Sequence, residues 1–283
     1  MKRHFLIFLL PMLVVCSCKV QSDRVLFSSG RHGNSDIFLM DSEGKILEQI
    51  TDATSEEWSP VWINDNEISY LSQSGNTITI VRHNIQSKEK TIIPHPDNCL
   101  IDDKNMLYSP AGFQQLYSCN GEIYVTDQIL EKTENMTANI SGFANYPSWI
   151  NENEILFTSN HEGSNNIYRL NLLTGILQNL TNSESNDERA EISPDGKSIL
   201  YSSDRFEKGN QDIVIQNLMT KEITRVTATK GTELIGRWSK HHKRIYFGSN
   251  ADGNWEIYGY ILKKGTMKRL TENDQFDDDP RVR

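Results

Sequence analysis

An all-β, six-bladed β-propeller of four-stranded blades is the fold that this sequence predicts. Three observations carry the prediction. Short apolar runs ending in a small or polar residue recur six times, about 44 residues apart. Each is followed by the same succession of further strand-like segments. The last five residues match the opening strand of a unit whose other strands stand near the start of the chain, so that strand would complete blade one. An open solenoid of such units would need polar capping units at both ends, and none is visible.

The chain opens outside this pattern. Lys2 and Arg3 precede an apolar run from Phe5 to Val15, too short to span a bilayer and suited to a secretory leader. Val15-Cys16-Ser17-Cys18 resembles a bacterial lipobox, in which an aliphatic residue, a free position and a small residue precede the lipidated cysteine. Cys16 is the poorer candidate, because bulky Val15 would then occupy the small-residue position. Residues 1–17 are therefore expected to be a lipoprotein signal peptide, Cys18 the lipidated residue, 18–23 a lipid-anchored tether and 24–283 the propeller. An ordinary cleavable leader is the alternative.

Within 24–283 the first marker is VLFSSG (25–30), ISYLSQ (68–73), QLYSCN (115–120), ILFTSN (155–160), ILYSSD (199–204) and IYFGSN (245–250). A turn rich in Gly and Asn follows each, then a β-branched and aromatic strand such as NIYRLN (166–171) or DIVIQN (212–217). A third segment ends in Thr51, Thr137, Thr181, Thr227 and Thr271, with TII (91–93) as its weakest copy. The first strand of a unit is expected to open with Pro60, Met106, Pro147, Ala190, Gly236 and Pro280. Two residues further on stand Trp62, Tyr108, Trp149, Ile192, Trp238 and Val282. A large side chain at one place in each unit marks packing rather than binding.

Composition narrows the function classes. The 283 residues carry 29 Lys+Arg against 38 Asp+Glu, a formal net charge of −9, and loss of Lys2 and Arg3 with a leader makes the chain more acidic still. No broad basic surface is available to neutralise phosphates, so nucleic acid is not an expected partner. Outside the leader only Cys99 and Cys119 remain. An oxidising compartment would permit a disulfide between them, and nothing in the spacing demands one.

The unit containing ISPDGKSILYSSDRFEKGNQDIVIQN and the later SNADGNWEIY resemble the TolB-like, or WD40-like, propeller repeat of bacterial periplasmic proteins. There a Ser-Pro-Asp-Gly hairpin, a strand ending in Ser, an Asp-Gly-Asn turn, an Ile-Tyr strand and a Leu-Thr follow one another. The resemblance covers essentially all of 24–283, strongly in units three to six and poorly in unit two. It implies a six-bladed propeller used as a binding platform in the cell envelope.

Three residues before the Pro60-type position stand Glu57, Asp103, Ala144, Asp187, Glu233 and Asp277, five of six acidic. With the first strand of each unit innermost, these carboxylates are expected around one channel mouth, where their potentials add. A basic peptide segment, an amine or a divalent cation such as Ca2+ would be the natural ligand. The competing reading is architectural: each carboxylate caps its own turn or ties to its neighbour.

No Gly-x-Ser-x-Gly elbow, phosphate loop or His-Glu-x-x-His occurs. His32, His83, His95, His161, His241 and His242 occupy different repeat positions, so they are expected to be solvated loop residues rather than metal ligands. The favoured function is a lipid-anchored, non-enzymatic envelope propeller that binds a protein or peptide at its acidic face. The alternative is a carbohydrate-active enzyme or glycan-binding propeller with carboxylates such as Asp187 and Glu233 as acid and base.

Overall fold

A computed structural model describes residues 22–93, 96, 99 and 104–283. The expected signal peptide, Cys18, Asp103 and His95 lie outside the described residues. Blade one holds β1 (Arg24–Ser29), β2 (Asp36–Asp41) and β3 (Ile46–Gln49). Blade two is β4 (Glu56–Trp62), β5 (Glu67–Ser74), β6 (Thr77–Asn84) and β7 (Lys90–Ile93). Blade three is β8 (Leu107–Tyr108), β9 (Gln114–Cys119), β10 (Glu122–Asp127) and β11 (Lys132–Asn135). Blade four is β12 (Ala144–Asn151), β13 (Glu154–Ser159), β14 (Asn166–Asn171) and β15 (Leu177–Asn179). Blade five is β16 (Asp187–Ile192), β17 (Ser198–Glu207), β18 (Asn210–Asn217) and β19 (Ile223–Arg225). Blade six is β20 (Glu233–Trp238), β21 (Arg244–Ser249), β22 (Glu256–Ile261) and β23 (Thr266–Arg269). Finally β24 (Asp277–Val282) pairs antiparallel with β1 and completes blade one. The seam is fastened by reciprocal backbone bonds of 2.9 Å between Arg24 and Arg283. No helix among the described residues is long and apolar enough to cross a membrane.

The apolar markers become strands covered on both faces, which is why they run without polar alternation. In β1, Val25, Leu26 and Phe27 are all fully buried. Leu26 packs towards blade two, whereas Val25 and Phe27 pack towards blade six. Six apolar clusters result, one at each junction between neighbouring blades. Trp62, Trp149 and Trp238 belong to these junctions. Each donates its indole N–H to a carbonyl of the preceding blade, on Arg281 (3.1 Å), Leu107 (3.4 Å) and Glu191 (3.4 Å). Bulk and a polar tip are used together, as suits a tryptophan at a junction.

The recurrent threonine also has a physical cause. The hydroxyls of Thr51, Thr137, Thr181, Thr227 and Thr271 accept from the backbone N–H groups of Ile37, Ile123, Ile167, Ile213 and Ile257, at 2.8–3.1 Å. Each pair is separated by 14 residues. A hydroxyl thus serves a strand N–H that would otherwise be buried without a partner. In blade two the register places the corresponding position at residue 94, outside the described residues.

Two expectations need correction. Except in blade three, the innermost strand opens three or four residues before the Pro60-type position, so Pro60, Pro147 and Pro280 sit inside a strand. They are tolerated because each follows a bulge, where the ladder is interrupted. His83 is not a solvated loop residue: it lies on β6, 1% exposed, in edge contact with Tyr70. Burial, with Lys90 and Lys88 nearby, holds its imidazole down to about 4, so it stays neutral.

Candidate functional site at the propeller hub

The innermost strands β4, β8, β12, β16, β20 and β24 surround the axis. At their entries, four of the five predicted acidic residues can be placed: Glu57, Asp187, Glu233 and Asp277, each 0–2% exposed. Each faces a serine of the next strand in register, namely Ser72, Ser203, Ser249 and Ser29. Asp187 accepts from Ser203 Oγ at 2.5 Å and from Ser183 Oγ at 2.8 Å. Glu233 accepts from Ser249 Oγ at 2.8 Å and Thr229 Oγ1 at 2.5 Å. Glu57 accepts from Ser72 Oγ at 3.0 Å and from Ser55 Oγ. Asp277 takes the Arg31 guanidinium at 3.0 Å and the Asn273 amide at 2.7 Å. Burial pushes all four carboxyls above their ordinary range, against the pull of these donors. This is the architectural arrangement, a hydroxyl cradle repeated from blade to blade. An acid–base pair must touch its substrate, and Asp187 and Glu233 have no exposed surface.

Two residues further along, the backbone does something that sequence reasoning missed. Ser59, Tyr146, Arg189, Ile235 and Asp279 all have positive φ, between 51° and 61°. The strand registers shift at the same places. A left-handed residue that interrupts the ladder is a β-bulge, and bulges re-aim side chains. Ile235 is an extreme case, since a β-branched residue is strongly disfavoured there. No residue type marks these positions, so composition and periodicity give no signal for them.

Beyond the bulges the hub encloses a cavity of about 230 Å³. Residues of all six innermost strands or their entries line it, together with Tyr117 and Ser118 of β9. Those two reach the hub because β8 is only two residues long. A disulfide between Cys99 and Cys119, with Cα atoms 5.3 Å apart, ties the approach to β8 onto β9. None of Glu57, Asp187, Glu233 and Asp277 lines the cavity.

What does line it is a cluster of cations: Lys104, Arg189, Arg237 and Arg281. Their counter-charges are Glu191, Asp278 and Asp279. Asp279 accepts from Lys104 Nζ at 3.2 Å and stands 3.7 Å from Arg281. Burial opposes its ionisation, but Lys104, Arg281 and Arg237 outweigh that and hold it at about 2. Burial raises Glu191 and Asp278. Glu191 uses one oxygen to accept the Trp238 backbone N–H at 2.8 Å. Burial, with Arg281 beside it, lowers the Arg237 guanidinium to about 9. The Arg189 guanidinium lies 3.6 Å from the ring centre of Tyr146. These cations stand within two residues of the Pro60-type positions, so comparing charges across that window would have exposed them. Among the described residues no group of three or more His, Cys, Asp and Glu is placed to share a metal.

No family model matches the chain. A Tol-Pal system protein TolB from Francisella tularensis (strain WY96-3418) is 30% identical over 131 residues, 46% of this chain and 28% of that protein. One from Helicobacter hepaticus is 25% identical over 158 residues, 56% of this chain and 37% of that protein. The match thus spans about a third of these relatives' length. The crystal structure of TolB from Acinetobacter baumannii superposes with a TM-score of 0.78 at 21% identity, covering 92% of this chain and 66% of that one. The chain is a closed propeller of six four-stranded blades whose repeats are similar in sequence to those of TolB proteins.

Proposed function

We propose that this chain is a lipid-anchored, non-enzymatic β-propeller of the bacterial cell envelope that binds a protein or peptide partner. The observation that carries the reading is the match of its repeats to proteins of the Tol-Pal system. Two features agree with it. The sequence at Cys18 has the spacing of a lipidation site. The Cys99–Cys119 disulfide fits an oxidising compartment.

The partner docks on the face where the innermost strands begin. With Glu57, Asp187, Glu233 and Asp277 buried, a basic segment meets the exposed carboxylates of the connections into those strands, Asp52, Glu56, Glu184, Glu272 and Asp274. Such a field speeds encounter and weakens with salt.

Crosslinking in intact cells, followed by purification of the full-length chain from solubilised envelopes, tests the reading. The expected result is a discrete crosslinked envelope protein whose yield falls when Asp52, Glu56 and Glu272 are changed to Asn or Gln. Turnover of an envelope glycan with no crosslinked protein would overturn it. Membrane fractionation of Cys18→Ser checks the anchor, with release or an unprocessed precursor expected.

A further inference from the structure

We infer that the hub cavity is an oxyanion-binding site, in which Arg237 and Arg281, helped by Arg189 and Lys104, take a carboxylate or phosphate group. The inference goes beyond the docking face and does not depend on it, since a different set of residues lines the cavity.

Charge is the first ground. In a chain whose formal net charge is −9, four half-buried cations converge on one pocket at the hub. Three carboxylates stand near these four cations: Lys104, Arg281 and Arg237 hold Asp279 below its ordinary range, whereas burial raises Glu191 and Asp278. Lys104 and Arg281 share Asp279. Arg237 and Arg189 have no carboxylate within ion-pair distance among the described residues, and the Arg237 guanidinium donates to the carbonyl of Gly236 at 3.2 Å.

Unsatisfied hydrogen-bonding capacity is the second ground. The Nε atoms of Arg189, Arg237 and Arg281 are buried without a partner. Leaving a buried cation short of acceptors is costly. Three such forks at one hub are the arrangement that a bidentate oxyanion completes.

Backbone strain is the third. Arg189 is itself a left-handed bulge residue, and Arg237 and Arg281 each follow a left-handed residue by two positions. Sparsely populated backbone next to a buried charged cluster is the pattern of a built site. The left-handed bulge recurs in five blades, but the cations beside it do not recur in all of them. Lys104, Arg189, Arg237 and Arg281 occupy three different positions relative to the Pro60-type residue, and the corresponding residues of blades two and four are Val61 and Ser148. The cluster belongs to this chain rather than to its repeat.

The test is calorimetric titration of the full-length protein at constant ionic strength. The probes are succinate, inorganic phosphate, and a short Gly/Ser peptide with either a free or an amidated C-terminus. Saturable binding of at least one anion is expected, weakened about tenfold or more in Arg237→Met and Arg281→Met and unchanged in Lys221→Gln, an exposed turn lysine. Preference for the free-terminus peptide over its amide identifies a chain end as the source of the carboxylate. Preference for succinate or phosphate identifies a free small anion. If a variant fails to fold, the wild-type titration decides alone: no saturable heat with any probe overturns the inference. Equal affinity of wild type and both folded Arg variants overturns it as well.

Discussion

Two sets of charged side chains stand at the hub, and on β16, β20 and β24 members of both are separated by only two to four residues along the chain. The first set, Glu57, Asp187, Glu233 and Asp277, sits in equivalent places and meets a serine at the same cross-strand position each time. The second set, Lys104, Arg189, Arg237 and Arg281, sits at unequal places and includes cations without a carboxylate of their own. A charge that recurs with the repeat is met by a partner that also recurs, so the blade consumes it. Of the charges that break the repeat, Arg189 and Arg237 have no carboxylate within ion-pair distance among the described residues. In a molecule made of copies, chemistry directed outward is therefore to be sought where the copies differ.

The largest expected effect concerns the frame that both sets share. Deleting 279–283 strips most of β24 from β1, exposing the fully buried Val25, Leu26 and Phe27. Thermal denaturation should show a loss of several kcal/mol, roughly the sum of a few ladder bonds and the exposed apolar area. An unchanged melting temperature would mean that the ring does not depend on this strand.

Next in size is the contrast between the sets. Asp187→Ala leaves Ser183 and Ser203 without their acceptor and should cost about 2–4 kcal/mol, whereas Asp187→Asn, which can still accept, should stay within about 1 kcal/mol. Arg237→Met removes a buried cation that lacks an ion-pair partner and should be neutral or stabilising by about 1 kcal/mol. Equal losses for Asp187→Ala and Arg237→Met in urea unfolding would erase the distinction.

A pH series sharpens it. Burial raises Asp187 above its ordinary value of 3.8, so the folded state binds that proton more tightly than the unfolded state. The stability this group contributes is present in full below 3.8 and is lost as pH rises through the folded value. Wild type should accordingly gain on Asp187→Asn as the pH is lowered from 7 towards 4, as read by melting temperature. A gap that widens in the other direction would contradict the assignment. The smallest effect is expected for Thr181→Val, about 1 kcal/mol from the lost bond to the Ile167 N–H, which is 3.1 Å long.

Much of the frame was legible in the sequence because its causes are side-chain types. Strands buried on both faces demand unbroken apolar residues, a buried strand N–H demands the hydroxyl of Thr181 and its equivalents, and the junctions demand Trp62, Trp149 and Trp238. The site was less legible. Burial of Asp187 and Glu233 depends on serines and threonines that look like ordinary loop residues in one dimension. The bulges at Tyr146, Arg189 and Ile235 have no residue signature at all. The hub cations were visible as letters, but only the cavity shows that they converge. Blade three hides the most: β8 has two residues, and its approach is secured by a disulfide instead of a long ladder.

The seam has a mechanical consequence. β1 is flanked by β2 on one side and β24 on the other, so it is an interior strand from its first residue. A pull arriving through the segment before Arg24 therefore acts along a strand gripped at both edges, and its hydrogen bonds must slide together. An edge strand would instead unzip one bond at a time. The reciprocal bonds between Arg24 and Arg283 stand where that load enters. A load entering at this end is therefore passed into blade one as a whole.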